Sequence, residues 1–333
     1  MVYRLALIAA VLVLWLASGL LVPASLARLS AQLQGLVTIF LGIFIEALPF
    51  LVAGVLASSA IHLFVSIDVI QRLSPRSPIL AALSGSLLGL AFPVCECGSV
   101  PTARRLLAKG APLPLGIAFV LAAPVVNPVV IASTWVAFSG RPELVFSRIG
   151  LTVLVAAAVG LALGLRFRPA DLLTSPDQRH NHDHAHHDHD HTHEHAGTGR
   201  LRALVLHSSS EFFEMSQYLA IGALIAATLQ MVVPRETLLA LGEGPVISAL
   251  LLMALAFVLS ICSTVDAFVA LAFVNLFPPG AILAFLVFGP MVDIKSILMF
   301  TSVFRRAALI RMVLLIGLLV LAAASGIDWF YGR

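Results

Sequence analysis

All three cysteines of the 333-residue chain fall in two short stretches, Cys95 and Cys97 within Pro93-Val94-Cys95-Glu96-Cys97-Gly98-Ser99-Val100-Pro101 and Cys262 far downstream. Two thiols around a carboxylate form a donor set for soft species such as trivalent arsenic, Cu(I), Zn(II) or Cd(II). Two prolines and a glycine interrupt an apolar run at the same place. Broken backbone at membrane depth is tolerated only where it is buried in protein or lines a wet cavity. The alternative reading is that these cysteines are small buried residues of membrane helices. A Cys95–Cys97 disulfide is not expected, because i,i+2 spacing strains the bond.

Four carboxylates, Glu46, Glu96, Asp266 and Asp293, also lie in apolar runs. An ionised side chain at a helix centre costs roughly 2.5–3.5 kcal/mol on insertion scales, so such residues either serve a substrate or coupling proton or find a partner. A second polar break, Ala123-Pro124-Val125-Val126-Asn127-Pro128, is matched by Gly289-Pro290-Met291-Val292-Asp293. Asn127 and Asp293 are there as oxygen ligands or as hinges without a ligand role. The candidate substrate-binding set is therefore Cys95, Glu96, Cys97, Cys262, Asp266, Asn127, Asp293 and Glu46. Arg104, Arg105 and Lys109 suit either an anion or a helix at the membrane interface, and Glu211 and Glu214 read as interfacial.

One further segment carries metal chemistry. His180, His182, His184, His186, His187, His189, His191, His193 and His195 are nine histidines within 16 residues, interleaved with four acids. Such a tract cannot build a packed core, and its imidazoles and carboxylates suit Zn, Ni, Cu or Co without imposing one geometry. No metal is required as a cofactor on this reading.

These groups need elements to hold them, and composition says which. The chain is 60% hydrophobic and 11% charged, against roughly 25% charged in a soluble domain, with mean hydropathy +1.02. A soluble domain, a disordered chain, a disulfide-stapled module and a fibre are excluded. The fold class is an all-α polytopic membrane protein in a lipid bilayer. A net charge of +3 reflects loop arginines and points to no nucleic acid.

Apolar runs near 3–22, 35–65, 78–95, 112–138, 147–166, 204–233, 245–262, 280–303 and 307–325 match the roughly 20 residues that cross a bilayer core. With half-helices at 98–110 and 263–277 they give about 8–10 transmembrane helices. The first run reads equally as a retained anchor and as a cleaved signal ending at Ser25-Leu26-Ala27. Lys and Arg divide almost evenly between the two faces, so orientation is not set. The only lysines, Lys109 and Lys295, stand outside any glycine-rich phosphate loop, and neither HExxH nor GxSxG occurs. ATP binding through a P-loop is thereby excluded, the common hydrolase signatures are absent, and no enzyme is expected.

Half the chain length separates matching residues: Glu46 and Glu214, Gly54 and Gly222, Pro78 and Pro245, Cys95 and Cys262, Pro112 and Pro279, Pro124 and Pro290, Asn127 and Asp293. Tandem halves are a mark of transporters, whose substrate sits near the midplane at broken helices. The chain accordingly divides into an N-terminal anchor and linker (1–33), a first permease repeat (34–166), a His-rich hydrophilic loop (167–203), a second repeat (204–325) and a tail (326–333). Parallel and inverted halves both remain open. In each half a break is followed by a capped half-helix, with Ser99 and Asp266 as the capping residues.

The segments Phe92–Pro101, Ala123–Pro128 and Gly289–Asp293 resemble the bacterial predicted-permease family that includes the ArsP organoarsenical exporters, over roughly residues 34–325. The resemblance implies a multi-pass permease of the bacterial inner membrane that exports trivalent organoarsenicals with the help of cysteine thiols. Carried over, those thiols are Cys95 and Cys97, with Cys262 added by the repeat. The histidine loop departs from arsenical chemistry, because imidazole favours divalent metals. The expected function is gradient-coupled efflux of a small thiophilic metal or metalloid, alone or with an accessory membrane subunit. Two alternatives stand beside it: a permease for a small anion or organic solute, and a membrane metal sensor or metallochaperone scaffold.

Overall fold

Prolines set the starts of many helices. The computed structural model describes residues 24–64, 74–91, 94–167, 169–173, 198–232 and 244–331, and the apolar run 3–22 and the histidines between 180 and 195 lie outside them. Its helices are α1 (Ala24–Phe64), α2 (Pro78–Leu87), α3 (Glu96–Ala108), α4 (Leu113–Ala122), α5 (Pro128–Ala137), α6 (Pro142–Arg166), α7 (Pro169–Leu172), α8 (Thr198–Val232), α9 (Pro245–Leu259), α10 (Asp266–Leu271), α11 (Pro279–Met291), α12 (Ile294–Phe300) and α13 (Arg306–Tyr331). Six of these open on proline, whose missing N–H is one that the first turn leaves unpaired anyway. Among the described residues the only β pairing is an isolated bridge between Leu173 and Phe304.

Five stretches are long and apolar enough to cross a bilayer: Leu33–Ser59, Pro142–Arg166, Glu211–Met231, Pro279–Phe300 and Arg306–Trp329. Four shorter apolar helices, at 78–90, 113–122, 128–137 and 245–259, accompany them. The molecule is an all-α polytopic membrane protein.

Several expected elements are shorter or broken. The run 112–138 is α4 and α5, parted at residues 123–127, and 280–303 is α11 and α12, parted at Val292-Asp293. The cause is local: Asn127 and Asp293 stand in extended backbone and each accepts a hydrogen bond from the helix it opens, from Val129 N and Ser296 N. The run 245–262 stops at Leu259 because Ser260 turns into the left-handed region at φ 46°, which few non-glycine residues adopt. The half-helix expected at 98–110 spans Glu96–Ala108, whereas that at 263–277 is helical only over Asp266–Leu271. Ser99 and Asp266 are not the caps. Cys95 precedes α3 and Val265 precedes α10, while the Ser99 hydroxyl donates to Glu96 O and Val120 O.

Packing brings the breaks together. α1 runs along α8; α3 lies against α1, α12 against α8, and α3 meets α12. Glycine permits both close approaches: a Cβ on Gly54 would stand 2.1 Å from Gly98 Cα, and one on Gly222 2.8 Å from Lys295 Cα. Small residues of this kind let membrane helices pack backbone to backbone. α2, α4 and α6 form one packed group and α9, α11 and α13 another, with α10 resting on α5.

Candidate substrate site at the broken helices

Four interruptions supply the site: residues 94–95 before α3, Asn127 before α5, 260–265 before α10 and 292–293 before α12. Cys95 and Glu96 sit at the start of α3 and Cys262 in the segment that follows Ser260. One ligand atom from each of Cys95, Glu96 and Cys262 lies within 4.8 Å of the others, all three residues buried. The Cys95 thiol neighbours those of Cys262 and Cys97, so the chain's three cysteines converge across 167 residues of sequence. All are free thiols. The Ser260 hydroxyl accepts from Ile294 N at 3.3 Å, which ties the Cys262 segment to the start of α12.

Lys295, in the first turn of α12, is 2% exposed. Its ammonium donates to Glu96 Oε1 at 2.9 Å and stands 3.4 Å from Asp293 Oδ2. A buried charge is stable only when paired and hydrogen-bonded, and here two carboxylates meet that need. The N-terminal dipole of α3 favours Glu96 in the same way. Glu96 Oε2 has no hydrogen-bond partner, so one carboxylate oxygen beside the thiols is uncommitted. Glu46 on α1 is half-buried, and its carboxylate feels the charges of Lys295 and Glu96.

A second buried pair lies beyond. Arg148 of α6 donates to Asp266 Oδ2 at 2.5 Å and to Thr134 Oγ1 at 2.7 Å. Asp266 Oδ1 has no partner, and the residue lines a small crevice with Leu259, Ile261, Phe285, Gly289 and Pro290. Asp266 is thus held by α6, and the structure does not seat it in the thiol cluster. Asn127 is engaged at both ends of its amide, Oδ1 accepting from Val129 N and Nδ2 donating to Val94 O at 3.2 Å. It positions the backbone that precedes Cys95. Asp293 caps α12 through Oδ1 and faces Lys295 through Oδ2.

Arg104 and Arg105 pair with Glu214 and Glu211 at 3.1 and 3.7 Å. Glu211, which opens the apolar stretch Glu211–Met231, is buried and accepts from the Ser58 hydroxyl at 3.0 Å. Sequence reasoning noted Lys295 only as a lysine outside any phosphate loop and missed Arg148. The available signal was a lysine inside the apolar run 280–303 and an arginine at the second position of the run 147–166.

The chain matches the family described as predicted permease over residues 32–327. It is 46% identical over 287 residues to UPF0718 protein YcgR of Bacillus subtilis, covering 86% of this chain and 95% of that protein. It is 35% identical over 284 residues to a Streptococcus mutans protein whose name gives it as an inferred subunit of a two-component membrane permease complex, covering 85% and 91%. No solved structure matches. The family match takes in both cysteine stretches and every helix of the site, and the chain belongs to this predicted-permease family of multi-pass membrane proteins.

Proposed function

We propose that this permease moves a thiophilic metal or metalloid species, trivalent arsenical or transition metal, with Cys95, Cys262 and Glu96 as the ligands that receive it and Cys97 beside them. The observation that carries the reading is the convergence of three thiols, distant in sequence, with a partly uncommitted carboxylate at a buried junction of broken helices. Thiolate and carboxylate together suit soft and borderline ions, and broken helices near the midplane are where secondary transporters bind their cargo. The pairing of Cys95 with Cys262 supports the reading of two tandem halves. Transport is gradient-driven, since no phosphate loop is present, and outward, as in the exporters this chain resembles. The histidine loop gathers or delivers the cargo at the plasma membrane.

The Streptococcus mutans relative's name supports a second membrane subunit. The anion reading is weakened by the engagement of Arg104 and Arg105 with Glu214 and Glu211. The test is elemental analysis of cells expressing wild type or Cys95→Ser, exposed to zinc, copper, cadmium, nickel, arsenite and a trivalent methylarsenical. A cysteine-dependent change in the cell content of one species is expected. Unchanged contents for all of them, with the variant present in the membrane, would sink the reading.

A further inference from the structure

We infer that Glu46 is the entrance of the site, the first ligand met by a cationic thiophilic cargo on its way to the thiols, and that the matched approach at Glu214 is shut. This rests on the thiol reading above and adds its entrance. Glu46, Phe50, Gly54 and Ser58 follow one another at i, i+4 on α1 and share a face. The later three lie along α3: a Cβ on Gly98 would stand 3.0 Å from Phe50 O and from Gly54 Cα, and Ser58 Oγ is 3.3 Å from Pro101 O. Glu46, one turn before Phe50, therefore stands at the end of α3 that carries Cys95 and Glu96. Its Oε1 is buried with no hydrogen-bond partner, and its carboxylate feels the charges of Lys295 and Glu96. Cys95, Cys262, Glu96, Asp293 and Lys295 are all 4% exposed or less. Among these groups only Glu46, which is half-buried, reaches the surface.

Depth says what the exposed part of Glu46 meets. The residue is the midpoint of the span Leu33–Ser59, where a carboxylate faces protein or a wet cavity rather than hydrocarbon. Space is open one turn earlier on the same face, since a Cβ on Gly42 would meet nothing within 4 Å. The other half supplies the contrast. The Ser208 hydroxyl donates to Ser59 Oγ and Ser58 to Glu211, so α1 and α8 run antiparallel and the matched acids Glu46 and Glu214 approach the centre from opposite directions. On the Glu214 side Arg104 and Arg105 tie α3 to α8 through Glu214 and Glu211, and the backbone contact of Gly54 with Gly98 closes α1 on α3. On the Glu46 side Glu96, Asp293 and Glu46 itself surround one ammonium, Lys295. The centre is thus net negative before any thiol loses its proton, and it draws cations to its mouth.

The test uses the three native cysteines, the only ones in the chain, as reporters in the purified full-length protein in detergent micelles. Their modification by a cationic and an anionic methanethiosulfonate of similar size is followed by mass, each rate taken relative to that of a small free thiol. Wild type is expected to favour the cation. Glu46→Gln should lower the cation-to-anion ratio about tenfold, the effect of one charge some 8 Å away at a dielectric between about 40 and 80. Glu46→Lys should reverse the preference, and Glu46→Trp, which fills the mouth, should slow both reagents. Glu214→Gln, which removes the matched charge on the shut side, should leave the ratio within about twofold. Wild-type thiols that react with neither reagent or show no preference for the cation would overturn the inference without recourse to any variant. An unchanged ratio in folded Glu46→Gln, or an equal change in Glu214→Gln, would overturn it as well. The labelling needs no cargo, so a Glu46-dependent ratio together with metal contents that do not depend on Cys95 would remove the thiophilic cargo and leave the entrance standing.

Discussion

Breaking the Arg148–Asp266 pair tests whether the second buried charge centre holds the site together. Both side chains are almost wholly buried, and the guanidinium has two recorded partners, Asp266 Oδ2 at 2.5 Å and Thr134 Oγ1 at 2.7 Å. Asp266→Asn leaves a buried cation with a hydroxyl and a neutral amide, and Arg148→Met leaves a buried anion. Removing one member of a buried pair costs about 3–5 kcal/mol. Arg148→Met/Asp266→Asn leaves no buried charge, so it should cost about 1–3 kcal/mol, far below the sum of the singles.

The implied coupling, about 4 kcal/mol or more, agrees with the roughly 4 kcal/mol expected for unit charges about 4 Å apart at an effective dielectric of about 20. It stands well above the roughly 0.6 kcal/mol average of hydrogen bonds between membrane helices. The assay is a double-mutant cycle on unfolding midpoints in mixed micelles. Additive costs, with coupling below about 1 kcal/mol, would refute the ion-pair account. Because α10 begins four residues after Cys262, the single variants should also weaken cysteine-dependent metal binding more than the double variant does.

Three further outcomes follow from the same geometry. Gly54→Ala puts a Cβ 2.1 Å from Gly98 Cα, backbone that cannot yield, and should displace α3 or abolish accumulation of folded protein, whereas Gly42→Ala, with open space around it, should be within about 0.5 kcal/mol of wild type; thermal unfolding of both distinguishes them. Asn127→Ala removes the α5 cap and the donor to the buried Val94 carbonyl, for a loss of about 2–4 kcal/mol, measured against Asn127→Asp, which keeps the cap. Deleting residues 180–195 should leave flux of the cargo with altered affinity; a complete loss of flux with protein in the membrane would instead favour the scaffold reading.

The class of fold was legible because lipid solvation leaves a compositional signature, and the thiol stretches because proline, glycine and cysteine interrupt apolar runs only for a reason. Six helix starts carry a mark as well, since each falls on a proline. Less visible was where a run ends inside the protein. α9 stops at Ser260 by a left-handed backbone that no residue type announces, and α10 is only six residues long. The charge pairs were invisible for a different reason. Lys295 is 199 residues from Glu96 and Arg148 is 118 from Asp266, and at those separations nothing local distinguishes a buried arginine from one near an interface.

What the sequence did allow, and what the structure gives meaning to, is an asymmetry between matching positions. Cys95 has Cys262 as its counterpart and Asn127 has Asp293, but the next positions differ: Glu96 answers to Ser263, and Lys295, two residues after Asp293, answers to Val129. Arg148 answers to Leu314 at the same 166-residue spacing. Each buried ion pair therefore joins one charge from the N-terminal half to one from the C-terminal half, Glu96 to Lys295 and Asp266 to Arg148, in opposite directions. Each buried centre is thereby closed by groups of opposite charge that lie far apart in the chain, which no local pattern of residues announces.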